Sequence, residues 1–221
     1  MVPIVTFIGW HDCGKTTLAS NVVTHLKESG YSVAVIKSTK ETGIAFDAPG
    51  TDTHTHRQAG ADSVLLVAPD QMVMMSDNSG ESITSLAHRY FPHVDIVIGE
   101  GFKHARRVAK IEVFRNSEQL LREQVTGVIA VASDEQISGD YIFRLDEAVE
   151  IAAFIEKRFL QNSAKPSDRT TLMINGERVV MKGFVQDVLA GTIEGFIDSL
   201  KLRNTDSETR TVDLRITLSK K

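Results

Sequence analysis

The residues best suited by type and spacing to do chemistry are Gly9-Trp10-His11-Asp12-Cys13-Gly14-Lys15-Thr16, which fit the pattern G-x-x-x-x-G-K-[ST]. Glycines at these positions let backbone N–H groups curl around phosphate oxygens, while the lysine meets the β- and γ-phosphates and the hydroxyl ligates magnesium. Lys15 is thus assigned to the terminal phosphates, Thr16 to the metal and Thr17 to the α-phosphate. The alternative is an ordinary strand-to-helix turn with a solvated lysine. Context argues against it. Residues 4–8 form a short apolar run that stops at Gly9, and residues 15–29 carry Leu18, Val22, Val23 and Leu26 at helical spacing before Gly30. A phosphate loop belongs between such a strand and such a helix, whose dipole adds favourable potential for an anion.

Other candidates are weaker. Glu100 follows the apolar run 95–99 and is expected at the carboxyl end of a strand beside the phosphate-loop strand. A carboxylate there can bind magnesium directly or through water; a surface carboxylate at a strand end is the other reading. Asp95 opens the same run, at the opposite end. Asp47, Asp52, Arg57 and Lys37 lie in or beside residues 37–61, a Thr/Gly/Pro/Asp/His-rich stretch without sustained periodicity. Such a stretch is either a functional loop or a solvated one. His54 and His56 lack a third metal ligand at recognisable spacing. Cys13 stands at a helix N-terminus near Lys15, but no histidine is placed to act as its base, and it reads as a passive loop residue. Lys103, His104, Arg106, Arg107 and Lys110 make a basic stretch that fits the phosphates of a second ligand or a solvated loop equally well.

The elements that must position these residues alternate. Beyond the first strand and helix, strands are expected at 32–36, 63–67, 72–75, 95–98, 111–114 and 128–132, with helices near 83–91, 117–124 and 147–160. Strand, loop, helix and strand in that order predict right-handed parallel crossovers, hence an α/β domain with a mostly parallel sheet flanked by helices over residues 1–161. Residues 162–169 are polar, contain Pro166 and read as a linker. Residues 170–221 change character: segments 171–174 and 178–181 flank Asn175-Gly176, a type I′ hairpin signal. A helix over 184–200 and an alternating strand over 212–218 complete a small ββαβ unit, too small to be comfortably stable unaided.

Bulk properties narrow the classes. With 25 Lys+Arg against 29 Asp+Glu the net charge is −4, so no global field draws the chain to nucleic acid or an anionic membrane. One cysteine excludes an internal disulfide framework, and no apolar run reaches the roughly 18 residues of a membrane span. The start does not read as a signal peptide, and a cytoplasmic, soluble protein is expected.

The phosphate loop, taken together with Phe46-Asp47-Ala48-Pro49-Gly50-Thr51-Asp52-Thr53, Arg57-Gln58-Ala59-Gly60-Ala61, Gly99-Glu100-Gly101-Phe102-Lys103 and Lys110-Ile111-Glu112-Val113, resembles the molybdopterin-guanine dinucleotide biosynthesis protein B (MobB) family. The similarity covers roughly residues 2–160. It implies a P-loop NTPase-like fold and a GTP-binding accessory protein that works with the MobA-type molybdenum cofactor guanylyltransferase on molybdopterin. It further implies a homodimer with at most slow GTP hydrolysis. Carried over by position, residues 9–17 hold phosphates and magnesium, Glu100 is the acidic strand-end residue, and Asp47, Asp52 and Arg57 lie near the nucleotide. This chain departs from the family in two places. Lys37-Ser38-Thr39-Lys40-Glu41 lacks the two histidines common after the second strand, and the N-K-x-D guanine signature is absent; Ser133-Asp134 ends a strand in a place suited to a base contact, so Asp134 is the candidate contact for guanine N1 and N2. The rival readings are a small-molecule kinase, for which Arg106-Arg107 would be a thin lid, and a non-hydrolysing nucleotide-gated adapter.

Overall fold

A computed structural model describes residues 2–116, 119–161, 170–174, 177–200 and 212. The chain divides into two compact units, Met1–Val180 and Met181–Lys221.

In chain order the first unit contains β1 (Ile4–Ile8), α1 (Lys15–Glu28), β2 (Val33–Lys37), α2 (Asp52–Gln58), β3 (Ser63–Val67) and β4 (Met72–Ser76). There follow α3 (Ile83–Tyr90), β5 (Ile96–Glu100), β6 (Ala109–Val113), β7 (Val128–Ala132), β8 (Ile142–Phe143), α4 (Ala148–Ile155), β9 (Leu172–Ile174) and β10 (Glu177–Val179). Six strands form one sheet in the order β2-β5-β1-β6-β7-β8, and every neighbouring pair is parallel. The central strands β5, β1 and β6 are buried along most of their length, with helices on both faces of the sheet. On one face Val5, Phe7, Ile98, Ile111 and Val113 pack with Leu18, Val22 and Leu26 of α1 and Ile151 and Ile155 of α4. On the other, Ala34 and Val97 pack with Ala87 of α3. This is the helix-flanked α/β architecture expected from the alternation of elements.

Strand order decides where chemistry can occur. β1 lies between β5 and β6, so the loop after Ile8 emerges beside the carboxyl end of β5. At the opposite edge Asp95 accepts hydrogen bonds from the Ser32 backbone N–H (2.7 Å) and hydroxyl (2.6 Å), which hold its carboxyl below the usual range and join the starts of β2 and β5.

Several elements differ from expectation. Within the stretch expected to be a loop, residues 52–58 form α2, which begins where the Thr51 hydroxyl accepts the His54 N–H. β3 and β4 leave the main sheet and pair only with each other, antiparallel. The helix expected over 117–124 is a single 3-10 turn at Leu121–Glu123, with Ser117 and Glu118 outside the described residues. The helix expected over 147–160 is α4 continued by a π-helical turn, Glu156–Leu160.

β9 and β10 form an antiparallel hairpin within the first unit. Asn175 and Gly176, on which the type I′ turn rests, lie outside the described residues, as does the expected linker at 162–169. The second unit contains α5 (Gly183–Ser199), along which Phe184, Val188 and Phe196 are exposed. Of the strand expected over 212–218 only Val212 is described. Among the described residues no helix is long and apolar enough to cross a membrane.

Candidate nucleotide-binding site

The carboxyl edge of β1, β2 and β5 opens into a cleft of about 2130 Å³. Gly9, Trp10, His11, Asp12, Gly14, Lys15, Thr16 and Thr17 line it, together with Lys37, Glu100 and the basic residues 103–107. That volume exceeds the roughly 300–1,000 Å³ of a small-molecule site. The cleft also reaches Val2, Pro3 and Ile4 at the opposite end of β1, so the nucleotide site is only part of it.

The loop's two glycines are needed for different reasons. A Cβ on Gly9 would lie 2.4 Å from the Val113 carbonyl oxygen and 2.6 Å from Cys13 Sγ, so the loop passes too close to β6 and to its own thiol for any side chain. Gly14 adopts φ +95° as the N-cap of α1, a left-handed conformation that glycine takes without steric cost. Cys13 is buried beneath the loop with Sγ 3.7 Å from Lys15 Nζ. Lys15 also donates to the Trp10 carbonyl, so the ammonium lies across the loop it serves. His11 Nδ1 lies 2.8 Å from Asp12 Oδ2 at the exposed loop tip.

Thr16, in the first turn of α1, donates its hydroxyl proton to Glu100 Oε1 at 2.7 Å. Phe7 and Glu100 are partners in the β1–β5 register, so the carboxylate lies beside the phosphate loop as the sequence predicted. Its side chain is only 11% exposed. A hydroxyl and a largely buried carboxylate at this distance form a hard oxygen pair, the donor type magnesium selects. Among the described residues no group of three or more His, Cys, Asp and Glu is arranged for a metal, so other ligands would have to come from water and substrate phosphates.

Trp10 is held on both sides. Its indole N–H donates to the Gln119 carbonyl at 2.9 Å, and Lys103 Nζ lies 4.9 Å from its ring centroid, within cation–π range. Of the basic stretch, Lys103, His104, Arg106 and Arg107 line the cleft. Lys110 turns inward, is fully buried, and donates to the carbonyls of Ala105 (2.7 Å), Val108 (3.2 Å) and Thr126 (2.8 Å). It anchors the basic loop instead of extending it.

The remaining sequence candidates lie off the cleft lining. Asp47 accepts from the Thr51 hydroxyl (2.7 Å) and the Ala48 N–H (2.9 Å); the hydroxyls of Thr53 and Thr51 hold its carboxyl below the usual range. Its visible role is to set the cap of α2. Asp52 begins that helix, exposed, where a negative charge suits the dipole. Arg57 donates to the carbonyls of Ala61 and Asp62 and to Asp77 Oδ1 at 2.7 Å, joining α2 to the β3–β4 hairpin. His54 and His56 are two apart on α2 and do not share a helix face. Asp134, just past β7, accepts the Leu145 N–H at 3.2 Å and faces Arg115 at 3.4 Å.

Sequence reasoning left two groups at this site unplaced, Lys37 as a neighbour of Glu100 and Gln119 as the partner of Trp10. Lys37 meets Glu100 through the register of two strands distant in sequence, ending β2 as Glu100 ends β5. Nothing in the sequence links Gln119 to Trp10.

Comparison with known proteins identifies the family. The family model described as "Molybdopterin guanine dinucleotide synthesis protein B" matches residues 4–134. The chain is 30% identical to the molybdopterin-guanine dinucleotide biosynthesis adapter protein of Escherichia coli strain K12, across 70% of this chain and 92% of that one. It is 26% identical to a putative adapter protein of the same description from Methanocaldococcus jannaschii, with 98% of each chain covered. A crystal structure of molybdopterin-guanine biosynthesis protein B superposes with a TM-score of 0.59 at 29% identity, covering 70% of this chain and 98% of that one. With the family model matched over residues 4–134 and a relative 30% identical across 92% of its length, the chain belongs to the MobB family.

Proposed function

We propose that this protein binds magnesium and GTP in the cleft and serves as an accessory protein in molybdopterin-guanine dinucleotide formation, acting beside the MobA-type guanylyltransferase. The observation that carries the site is the Thr16–Glu100 oxygen pair, 2.7 Å apart at the foot of the phosphate loop. Backbone N–H groups of residues 9–16 and Lys15 hold the phosphates, and Thr17 reaches the α-phosphate. Thr16 and Glu100 would hold magnesium, which would supply charge neutralisation to the triphosphate. Asp134 is the proposed guanine contact: its carboxylate is about half exposed just past β7, with Oδ2 at 3.4 Å from Arg115 and Oδ1 accepting the Leu145 N–H. Asp47, Asp52 and Arg57 act at one remove, by shaping α2 and the loop before it.

The adapter role and the guanine preference are supported by the names of the relatives, and Lys103, His104, Arg106 and Arg107 on the cleft lining suit an anionic second ligand such as molybdopterin. GTP hydrolysis is at most slow in this reading, and the setting is cytoplasmic. The protein acts as a homodimer: β3 and β4 expose Leu65, Leu66, Val67, Met72, Val73 and Met74, and a two-stranded ribbon of this kind needs a partner to cover it. Co-purification with the guanylyltransferase and molybdopterin tests the pathway. Association that strengthens with GTP is expected, and its absence under every nucleotide condition would remove the adapter assignment.

A further inference from the structure

The Thr16–Glu100 pair has a third member that the phosphate-loop pattern does not call for. Lys37, the last residue of β2, is the register partner of Glu100 on β5. Its Nζ lies 3.2 Å from Glu100 Oε1 and 3.5 Å from Thr16 Oγ1. These are the two oxygens assigned to the metal. The Lys37 ammonium and a divalent cation therefore draw on the same atoms.

Resting on the magnesium–triphosphate reading of the cleft, we propose that Lys37 is a built-in competitor for the metal position, one that makes a divalent cation alone a poor ligand and couples its binding to the arrival of a triphosphate. A cation entering without nucleotide meets the Lys37 charge at close range, 3.2 Å from Glu100 Oε1 and 3.5 Å from Thr16 Oγ1. Glu100 is largely buried, so its carboxylate is held between the two cations, while the Lys37 ammonium, 56% exposed, is partly screened by water. A triphosphate reverses the balance. Its negative charge gives the ammonium a new partner, and Glu100 and Thr16 are released to the metal. Lys37 can make that move. Its side chain is 56% exposed and its stem is flexible, so it can swing without disturbing β2. The residue is thus a positioning and selectivity element that distinguishes metal plus triphosphate from metal alone.

The test uses manganese as a paramagnetic probe, titrated into the full chain with and without a non-hydrolysable GTP analogue. Wild type should bind manganese weakly alone and much more tightly with the analogue. Lys37→Met should bind manganese alone on the order of tenfold more tightly than wild type, and the gain on adding the analogue should shrink. Lys37→Arg keeps the charge and should follow wild type; circular dichroism of both variants checks the fold. If Lys37→Met and Lys37→Gln bind manganese alone no better than wild type while wild type still binds metal and analogue together, the competition is overturned and the site reading stands. If wild type binds no triphosphate with or without metal, the site reading fails and this inference fails with it.

Discussion

At the scale of single residues, the legible part of the site is the part written in contiguous sequence. Gly9, Gly14, Lys15 and Thr16 carry a spacing whose mechanism is local, and the structure gives each glycine a steric reason to be there. Glu100 was also legible, because an acidic residue closing an apolar run has few places to go in an α/β sheet. Lys37 was not, since its meeting with Glu100 depends on β2 and β5 being neighbours across 63 positions of chain. Lys110 looked like one more surface cation, yet it is the buried anchor of the loop that carries Lys103. Lys110→Met would strip three carbonyls of their donor and should cost about 1–3 kcal/mol. Burial holds the ammonium below its ordinary value of 10.5, so between the lowered value and 10.5 the unfolded chain binds more protons than the folded one. Stability contributed by the wild-type lysine therefore rises with pH across that window. The gap in urea midpoint between wild type and Lys110→Met should widen from neutral pH to about pH 10. A gap that narrows would contradict the buried-ammonium account.

At the scale of elements, what could be read followed from apolar periodicity. β1, α1, β5 and β7 each present an apolar run or stripe that identifies them. α2 has the sequence DTHTHRQ, with no apolar residue to set a 3.6-residue period, and only its cap and charge order mark it as a helix. β8 has two residues, too few for any pattern. The segment around Leu121 took the wrong form in the sequence reading because its organising group is remote. Glu112, fully buried on β6, accepts the backbone N–H groups of Leu121 and Arg122 (2.8 Å for the latter), and so fixes a short 3-10 turn. The same segment offers the Gln119 carbonyl to the indole of Trp10, the only tryptophan in the chain. Glu112→Ala should destabilise the protein by about 1–3 kcal/mol for each donor it orphans. It should also shift Trp10 emission to longer wavelength and weaken triphosphate binding. Unchanged emission would break the proposed link from β6 through this turn to the phosphate loop.

At the scale of the molecule, the parallel sheet and its flanking helices explain why the site lies at one edge, where β1, β2 and β5 end together. They do not explain the β3–β4 ribbon, whose apolar residues have no cover within the main sheet. The apolar runs at 63–67 and 72–75 mark the strands but not that they leave the sheet, because pairing only with each other changes neither composition nor length. If the ribbon is the dimer contact, a double substitution Leu66→Lys and Val73→Lys, at register partners, should give a monomer in analytical ultracentrifugation with its α/β circular dichroism intact. A dimer of unchanged stability would place the contact elsewhere.

The central claim is that residues 9–16, with Glu100, hold magnesium and GTP. Its most direct test is isothermal titration of the full chain with GTP and with ATP in magnesium, repeated on Lys15→Ala. The account predicts saturable GTP binding, weaker ATP binding, and loss of both in a Lys15→Ala variant that melts as wild type does. Equal or tighter binding of ATP would contradict the guanine assignment, and undiminished GTP affinity in Lys15→Ala would contradict the site itself.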